Sequence, residues 1–168
     1  MKSQQIIIDS RLTHVRKLKA EVARLKAENL SLRTENEQLL HHMDLALLAA
    51  EDLRDLGETG RLHVWDGWNL ILGAKRAATS PEGLMDLARR HIGENPADRV
   101  WIVFDGPKEN STSEGRIRVS YTGGSGPHRA DRLICEFLRM ARFRGDISRI
   151  DVWTDDKDFM RDVKRITK

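Results

Sequence analysis

The chain is short of the features that mark several large protein classes. It has one cysteine, Cys135, so no internal disulfide can form. Set in an apolar helical pattern, that thiol reads as a small core residue. No run approaches the ~20 apolar residues of a membrane span. Ile6-Ile7-Ile8 is too short for the apolar region of a secretory signal. The expected compartment is the cytoplasm, with no membrane partner. Glycine and proline are missing from Asp9 to Leu56, so no backbone breaker interrupts a helix there. No Gly-x-Ser-x-Gly elbow occurs, which argues against a serine hydrolase of that kind. Gly123-Gly124-Ser125-Gly126 lacks the Lys-Ser/Thr ending of a phosphate loop and reads as a flexible connection. The histidines His14, His41, His42, His63, His91 and His128 show no zinc-ligand spacing along the chain.

Charge, by contrast, is plentiful: 33% of the 168 residues are Asp, Glu, Lys or Arg, against a usual figure of about 25%. The residues before Gly57 balance nine basic against nine acidic side chains. The formal net charge of +3 therefore belongs to the remainder. A mildly basic surface around clustered acids suits a polyanionic substrate. The length allows one domain of about 100 residues plus an extension.

That extension carries a seven-residue repeat. The a positions hold Ile8, Val15, Val22, Asn29, Asn36 and Met43; the d positions hold Leu18, Leu25, Leu32 and Leu39, with Arg11 interrupting the start. β-Branched residues at a with Leu at d favour two parallel strands. Asn29 and Asn36 would pair with their own copies across a two-fold axis, setting register at a cost in stability. Glu21, Glu28 and Glu35 occupy g, and Lys19, Lys26 and Arg33 occupy e. In a parallel dimer Glu21 would face Lys26 of the other copy, and Glu28 would face Arg33. The expectation is a homodimer through residues 8–43, a rod of about 70 Å that also offers a surface to a protein partner. After Met43 the spacing of Leu45, Leu47, Leu48, Leu53 and Leu56 is too dense for a narrow seam. That stretch is expected to pack on the following domain. Gly57 supplies a helix stop, which places the boundary between a coiled coil over 1–57 and a globular domain over 58–168.

In the second region apolar runs alternate with helical patterns. Strands are expected at 62–65, 100–104, 117–121 and 150–153, and helices near 69–78, 81–91, 130–142 and 159–166. Ala130, Leu133, Ile134, Phe137, Leu138 and Ala141 form the clearest apolar stripe. Such alternation predicts an α/β fold with a mainly parallel sheet. In these sheets ligands bind at the carboxyl ends of strands, where the winding reverses. Acids fall there: Asp66 in Leu-His-Val-Trp-Asp-Gly-Trp-Asn, Asp105 in Val-Trp-Ile-Val-Phe-Asp-Gly, and Asp155, Asp156 and Asp158 in Val-Trp-Thr-Asp-Asp-Lys-Asp-Phe. Asp131 falls in the first turn of a helix, where the dipole favours negative charge. Mutually repelling carboxylates gathered at buried strand ends point to a divalent cation held by hard oxygen ligands. Asp after a strand is also a common turn and cap residue, so the argument lies in the joint order of the four segments.

In that order they resemble NYN domains of the PIN-like nuclease group, the YacP-like branch above all. Asp-Gly-Trp-Asn-Leu-Ile resembles the family's Asp-Gly-Tyr-Asn-Val-Ile opening, and Val-Phe-Asp-Gly its second acidic strand end. Gly-Pro-His-Arg-Ala-Asp-Arg-Leu-Ile resembles its Thr-Ala-Asp helix start, and Val-Trp-Thr-Asp-Asp-Lys-Asp-Phe its last acidic strand end. The likeness spans residues 61–160; the rod has no counterpart in it. It implies a PIN-like Rossmannoid sheet and ribonuclease activity on RNA with Mg²⁺ or Mn²⁺. Matched by motif, Asp66, Asp105, Asp131 and Asp156 become the catalytic and metal-binding candidates, supported by Asp158. Asn69, Trp68, Arg129, Arg132 and Lys157 become the substrate-binding candidates, with Lys75, Arg76 and Arg161 as further phosphate contacts. His128, close to Asp131, is a weaker candidate for touching substrate. Asp155 stands where the family has Ser or Thr, as an added outer carboxylate or the mark of an altered site. PIN-like domains carry a further strand after the last helix; the expectation is a domain over 58–168 without it. Two other readings use the same residues: a non-catalytic RNA-binding NYN module, and a scaffold whose main function is the rod.

Overall fold

The computed structural model describes residues 2–124 and 126–168, and for residues 2–11, 13, 38 and 41 it describes the backbone alone. The side chains of Ile8, Arg11 and His41, and all of Ser125, thus lie outside the described residues. One long helix, α1 (Lys2–Arg54), opens the chain. By contact the chain forms two units, Met1–Leu40 and His41–Lys168. The last turns of α1 therefore belong with the sheet domain, ahead of the Gly57 linker. Within the first unit, the seam positions Val15, Leu18, Val22, Leu25, Leu32 and Leu39 are exposed. Arg24 pairs with Glu21 at 2.7 Å and with Glu28 at 3.4 Å on the same helix. Among the described residues no helix is long and apolar enough to cross a membrane.

The second unit is a three-layer α/β domain. Its elements are β1 (Leu62–Asp66), α2 (Gly67–Leu72), α3 (Pro81–Glu94), β2 (Arg99–Phe104), β3 (Glu109–Glu114), β4 (Ile117–Thr122), α4 (Arg129–Arg144), β5 (Ile150–Trp153) and α5 (Lys157–Thr167). The sheet order is β3-β4-β2-β1-β5. All pairs are parallel except β3 with β4. From β1 the chain moves to β2 on one side, and it later returns through α4 to β5 on the other. The winding therefore reverses at β1, and the carboxyl end of that strand is the expected ligand position.

β1 is buried along its whole length and β2 over nearly all of it, as parallel strands covered on both faces should be. Alternation sorts their side chains. Leu62, Val64, Trp101 and Val103 pack against α4 and α5. Trp65, Val100, Ile102 and Phe104 pack against α2 and α3. Of the dense leucines expected to pack on this domain, Leu45, Leu53 and Leu56 join the first of these cores with Ala46 and Ala49, Leu48 packs against it, and Leu47 is exposed. Cys135 is a buried free thiol there. Buried Asp52 accepts from Arg99 at 2.7 Å and from Arg118 at 2.5 Å, tying α1 to neighbouring strands β2 and β4.

The structure corrects two sequence expectations. The helix expected over 69–78 ends at Leu72. A Cβ on Gly73 would sit 2.3 Å from the Asn69 carbonyl and 2.6 Å from Asp155 Cβ, and the chain turns away there. Strand β3 has no apolar signal because Glu-Asn-Ser-Thr-Ser-Glu lies mostly exposed on the sheet edge. A polar edge strand also discourages pairing with foreign strands.

Candidate active site at the carboxyl end of the sheet

Asp66 ends β1 and is 2% exposed. Gly67 follows because a Cβ there would lie 2.3 Å from the ring of Phe104. The turn into α2 brings Asn69 back, and its Nδ2 donates to Asp66 Oδ2 at 2.5 Å. Thr154, just past β5, donates to the same oxygen at 2.9 Å. Both donors are neutral. Burial raises the Asp66 carboxyl from an ordinary 3.8 to about 6; Asn69 and Thr154 oppose the rise, and the charge of Asp131 adds to it.

Asp105 lies just past β2. Its Oδ1 accepts the Ala130 amide at 2.8 Å and the Thr122 hydroxyl at 3.2 Å. It thereby caps α4 from another part of the chain, where His128, the residue before the helix, is left-handed and makes no side-chain cap. Asp131, in the first turn of α4, has Oδ2 2.9 Å from His128 Nδ1. Its carboxyl is raised above the usual range by burial first; His128 opposes the shift, and the charges of Asp156 and Asp105 reinforce it. Asp156 caps α5 through Oδ1, which accepts from the Asp158 amide at 2.7 Å and the Phe159 amide at 3.0 Å.

The four acids thus act on one another electrostatically, with Asp131 coupled to each of the other three. Asp105, Asp131 and Asp156 each commit a single oxygen to hydrogen bonds. The spacing is open. Among the described residues the trio whose ligand atoms all lie within 4.8 Å is His63, His91 and Asp98, and no trio of these acids is that tight.

Beside the acids are two pockets. One, of about 490 Å³, is lined by His128, Asp131, Arg132, Asp156 and Asp158 among others. The second, of about 300 Å³, is lined by Lys75, Lys157, Arg161 and Lys164 together with Thr154 and Asp156. Asp158 borders the first pocket, is largely exposed and pairs with Arg161. Asp155 also lines the second pocket: its Oδ2 accepts the Lys75 amide at 2.9 Å and fastens the turn after α2, and its Oδ1 lies 3.7 Å from Lys75 Nζ. Trp68 is partly exposed, and its Nε1 donates to the Asp105 carbonyl at 2.7 Å. Arg132 and Lys157 are exposed. Arg129 is buried and is spent on Gly106 O at 3.2 Å and Thr122 Oγ1 at 3.3 Å, with Asp105 Oδ1 3.8 Å away.

Sequence reasoning missed Thr122 and Thr154, which orient Asp105 and Asp66. Their only signal is position, one residue inside or beyond a strand end. No family model matches the chain, and no curated protein or solved structure matches it either.

Proposed function

We propose that this chain is a metal-dependent ribonuclease whose rod dimerises it as a parallel coiled coil. The observation that carries the reading is Asp66: an almost wholly buried carboxylate with only neutral donors, beside further carboxylates. A buried charge without a compensating charge is costly, and a divalent cation would remove that cost. The donor set is all hard oxygen, which suits Mg²⁺ or Mn²⁺. Mg²⁺ keeps several waters, so carboxylates spaced beyond direct contact can still hold it. Asp66, Asp105, Asp131 and Asp156 would be the ligands. A bound divalent ion supplies charge stabilisation and a more acidic water for phosphodiester hydrolysis.

The protein's own part is positional. Asn69 and Thr154 fix the Asp66 carboxylate. The Ala130 amide and Thr122 fix that of Asp105, and His128 that of Asp131. The pocket lined by Lys75, Lys157, Arg161 and Lys164 adjoins Asp156 and suits phosphates flanking the cleaved bond. Arg132 and partly exposed Trp68 remain available to RNA, Trp68 as a stacking face. Arg129 serves to hold the loop after Asp105. On the rod, a half-exposed Leu and Val seam is unfavourable in water, and a second copy would cover it.

The test is incubation of the full chain with RNA and Mn²⁺ or Mg²⁺, with and without chelator. The expected result is metal-dependent cleavage that disappears in Asp66→Asn and Asp156→Asn, since Asn retains the acceptor each position needs. RNA binding without cleavage by the unmodified chain overturns the enzymatic reading in favour of an RNA-binding module. No RNA affinity at all leaves the rod as the main function.

A further inference from the structure

At the other end of the sheet three residues from separate elements converge. His63 is the second residue of β1, His91 lies in the last turn of α3, and Asp98 immediately precedes β2. Their ligand atoms lie within 4.8 Å of one another, and the side chains are 8%, 17% and 13% exposed. Asp98 Oδ2 is 2.9 Å from His63 Nε2 and 3.5 Å from His91 Nε2. Around a tetrahedral zinc with bonds of about 2.05 Å, neighbouring ligand atoms are about 3.3 Å apart. Small shifts would bring this trio to that geometry. We propose that His63, His91 and Asp98 form a second cation site, for a borderline-soft divalent metal of the zinc class, distinct from the acidic end of the sheet.

Three observations converge on the cation. The first is that His91 Nε2 is buried and makes no hydrogen bond among the described residues. An orphaned buried nitrogen is costly, and this one lies 3.5 Å from Asp98 Oδ2 and within 4.8 Å of the ligand atom of His63. Next, Asp98 is anchored through its other oxygen. Its Oδ1 accepts the Arg61 amide at 2.9 Å, leaving Oδ2 to the histidines. Last, His63 Nδ1 is also buried and unbonded, and it lies 3.7 Å from Asp151 Oδ2. A carboxylate behind the remote ring nitrogen is how metal-bound imidazoles are commonly oriented. Two imidazoles and one carboxylate from the protein leave a fourth position for water. Such a set prefers zinc or cobalt over Mg²⁺. The site joins α3 to β1 and β2 and would act as a metal staple on that layer. It escapes a search for ligand spacing because residues 63, 91 and 98 meet only through the parallel pairing of β1 with β2.

The experiment titrates the chelator-stripped full chain with Co²⁺ alone and reads the visible absorption of low-coordinate cobalt. One equivalent is expected to bind with that absorption. Asp66→Asn should retain it; His91→Gln should lose it. Asp151→Asn should weaken binding by at least about tenfold. On the unmutated chain, Zn²⁺ should shift the imidazole NMR signals of His63 and His91 and leave that of His14 in place. If the unmodified chain gives no cobalt absorption, or if His91→Gln binds as tightly, the proposal is wrong, and the trio is a hydrogen-bonded His–Asp pair with a neighbouring ring. Loss of RNA cleavage in Asp66→Asn does not bear on this outcome.

Discussion

The Ala130 amide donates to Asp105 Oδ1 at 2.8 Å, so an acid at the end of β2 caps the helix that carries Asp131. One carboxylate thereby holds the fold and also fixes where the next acid stands. The two roles can be separated. Asp105→Asn keeps an acceptor for Ala130, whereas Asp105→Ala removes it. Both should abolish metal-dependent RNA cleavage. Only Asp105→Ala should also lower thermal stability, by about 1 kcal/mol, the usual worth of a cap. Parallel melting curves and cleavage assays check this.

The second prediction concerns pH. Asp66 has its carboxyl raised to about 6, against 3.8 ordinarily, so between those values the folded state binds more protons than the unfolded one. Stability therefore falls as pH rises through about 4 to 6 and levels off above, by an amount on the order of 3 kcal/mol. Asp66→Asn should flatten this dependence and melt higher than the unmodified chain above about pH 7 in chelator. Mg²⁺ or Mn²⁺ should stabilise the unmodified chain above that range and lose effect as acid protonates Asp66. Cleavage should decline as pH drops below about 6. Denaturation at several pH values, with and without metal, reads the stability effects, and cleavage assays over the same range read the last.

Gly67 stands where no side chain fits, because a Cβ would press on the buried Phe104 ring. Gly67→Ala should destabilise by about 1–3 kcal/mol, as overpacking does. It should also displace Asn69 from Asp66, lowering cleavage more than RNA binding. Urea denaturation and single-turnover kinetics check the two effects.

Asp52 is 5% exposed and sits between Arg99 and Arg118. Asp52→Ala leaves two largely buried guanidinium groups without their shared partner. A loss of about 3–5 kcal/mol is expected, seen as a large drop in melting temperature. A small shift would mean that water replaces the carboxylate at little cost.

For the rod, sedimentation should give a dimer for the unmodified chain, and Leu25→Asp should give a monomer. Replacing Asn29 and Asn36 with Val should raise thermal stability while loosening the choice of oligomer. A monomeric unmodified chain overturns the parallel-dimer reading.

Local pattern by itself determined most of the elements, though not the polar edge strand β3 or the end of α2 at Leu72. Burial against both sheet faces requires continuous apolar runs, so Leu62–Asp66 and Arg99–Phe104 were legible as strands, and the shorter, partly exposed edge strand Ile150–Trp153 was legible beside them. A one-sided stripe made α4 legible as a helix. The acids after those runs could be named because strand ends in such a sheet open toward one rim. Tertiary structure alone decided which chemistry each acid has. Asp155 and Asp156 are neighbours in sequence, yet one fastens the turn at Lys75 and the other caps α5 beside Asp131. Arg129 and Arg132 lie one helical turn apart, yet one is buried in the loop after Asp105 and the other reaches solvent. Burial, coupling between charges and the meeting of His63, His91 and Asp98 depend on distances across the sheet, and residue order along a chain does not specify those distances.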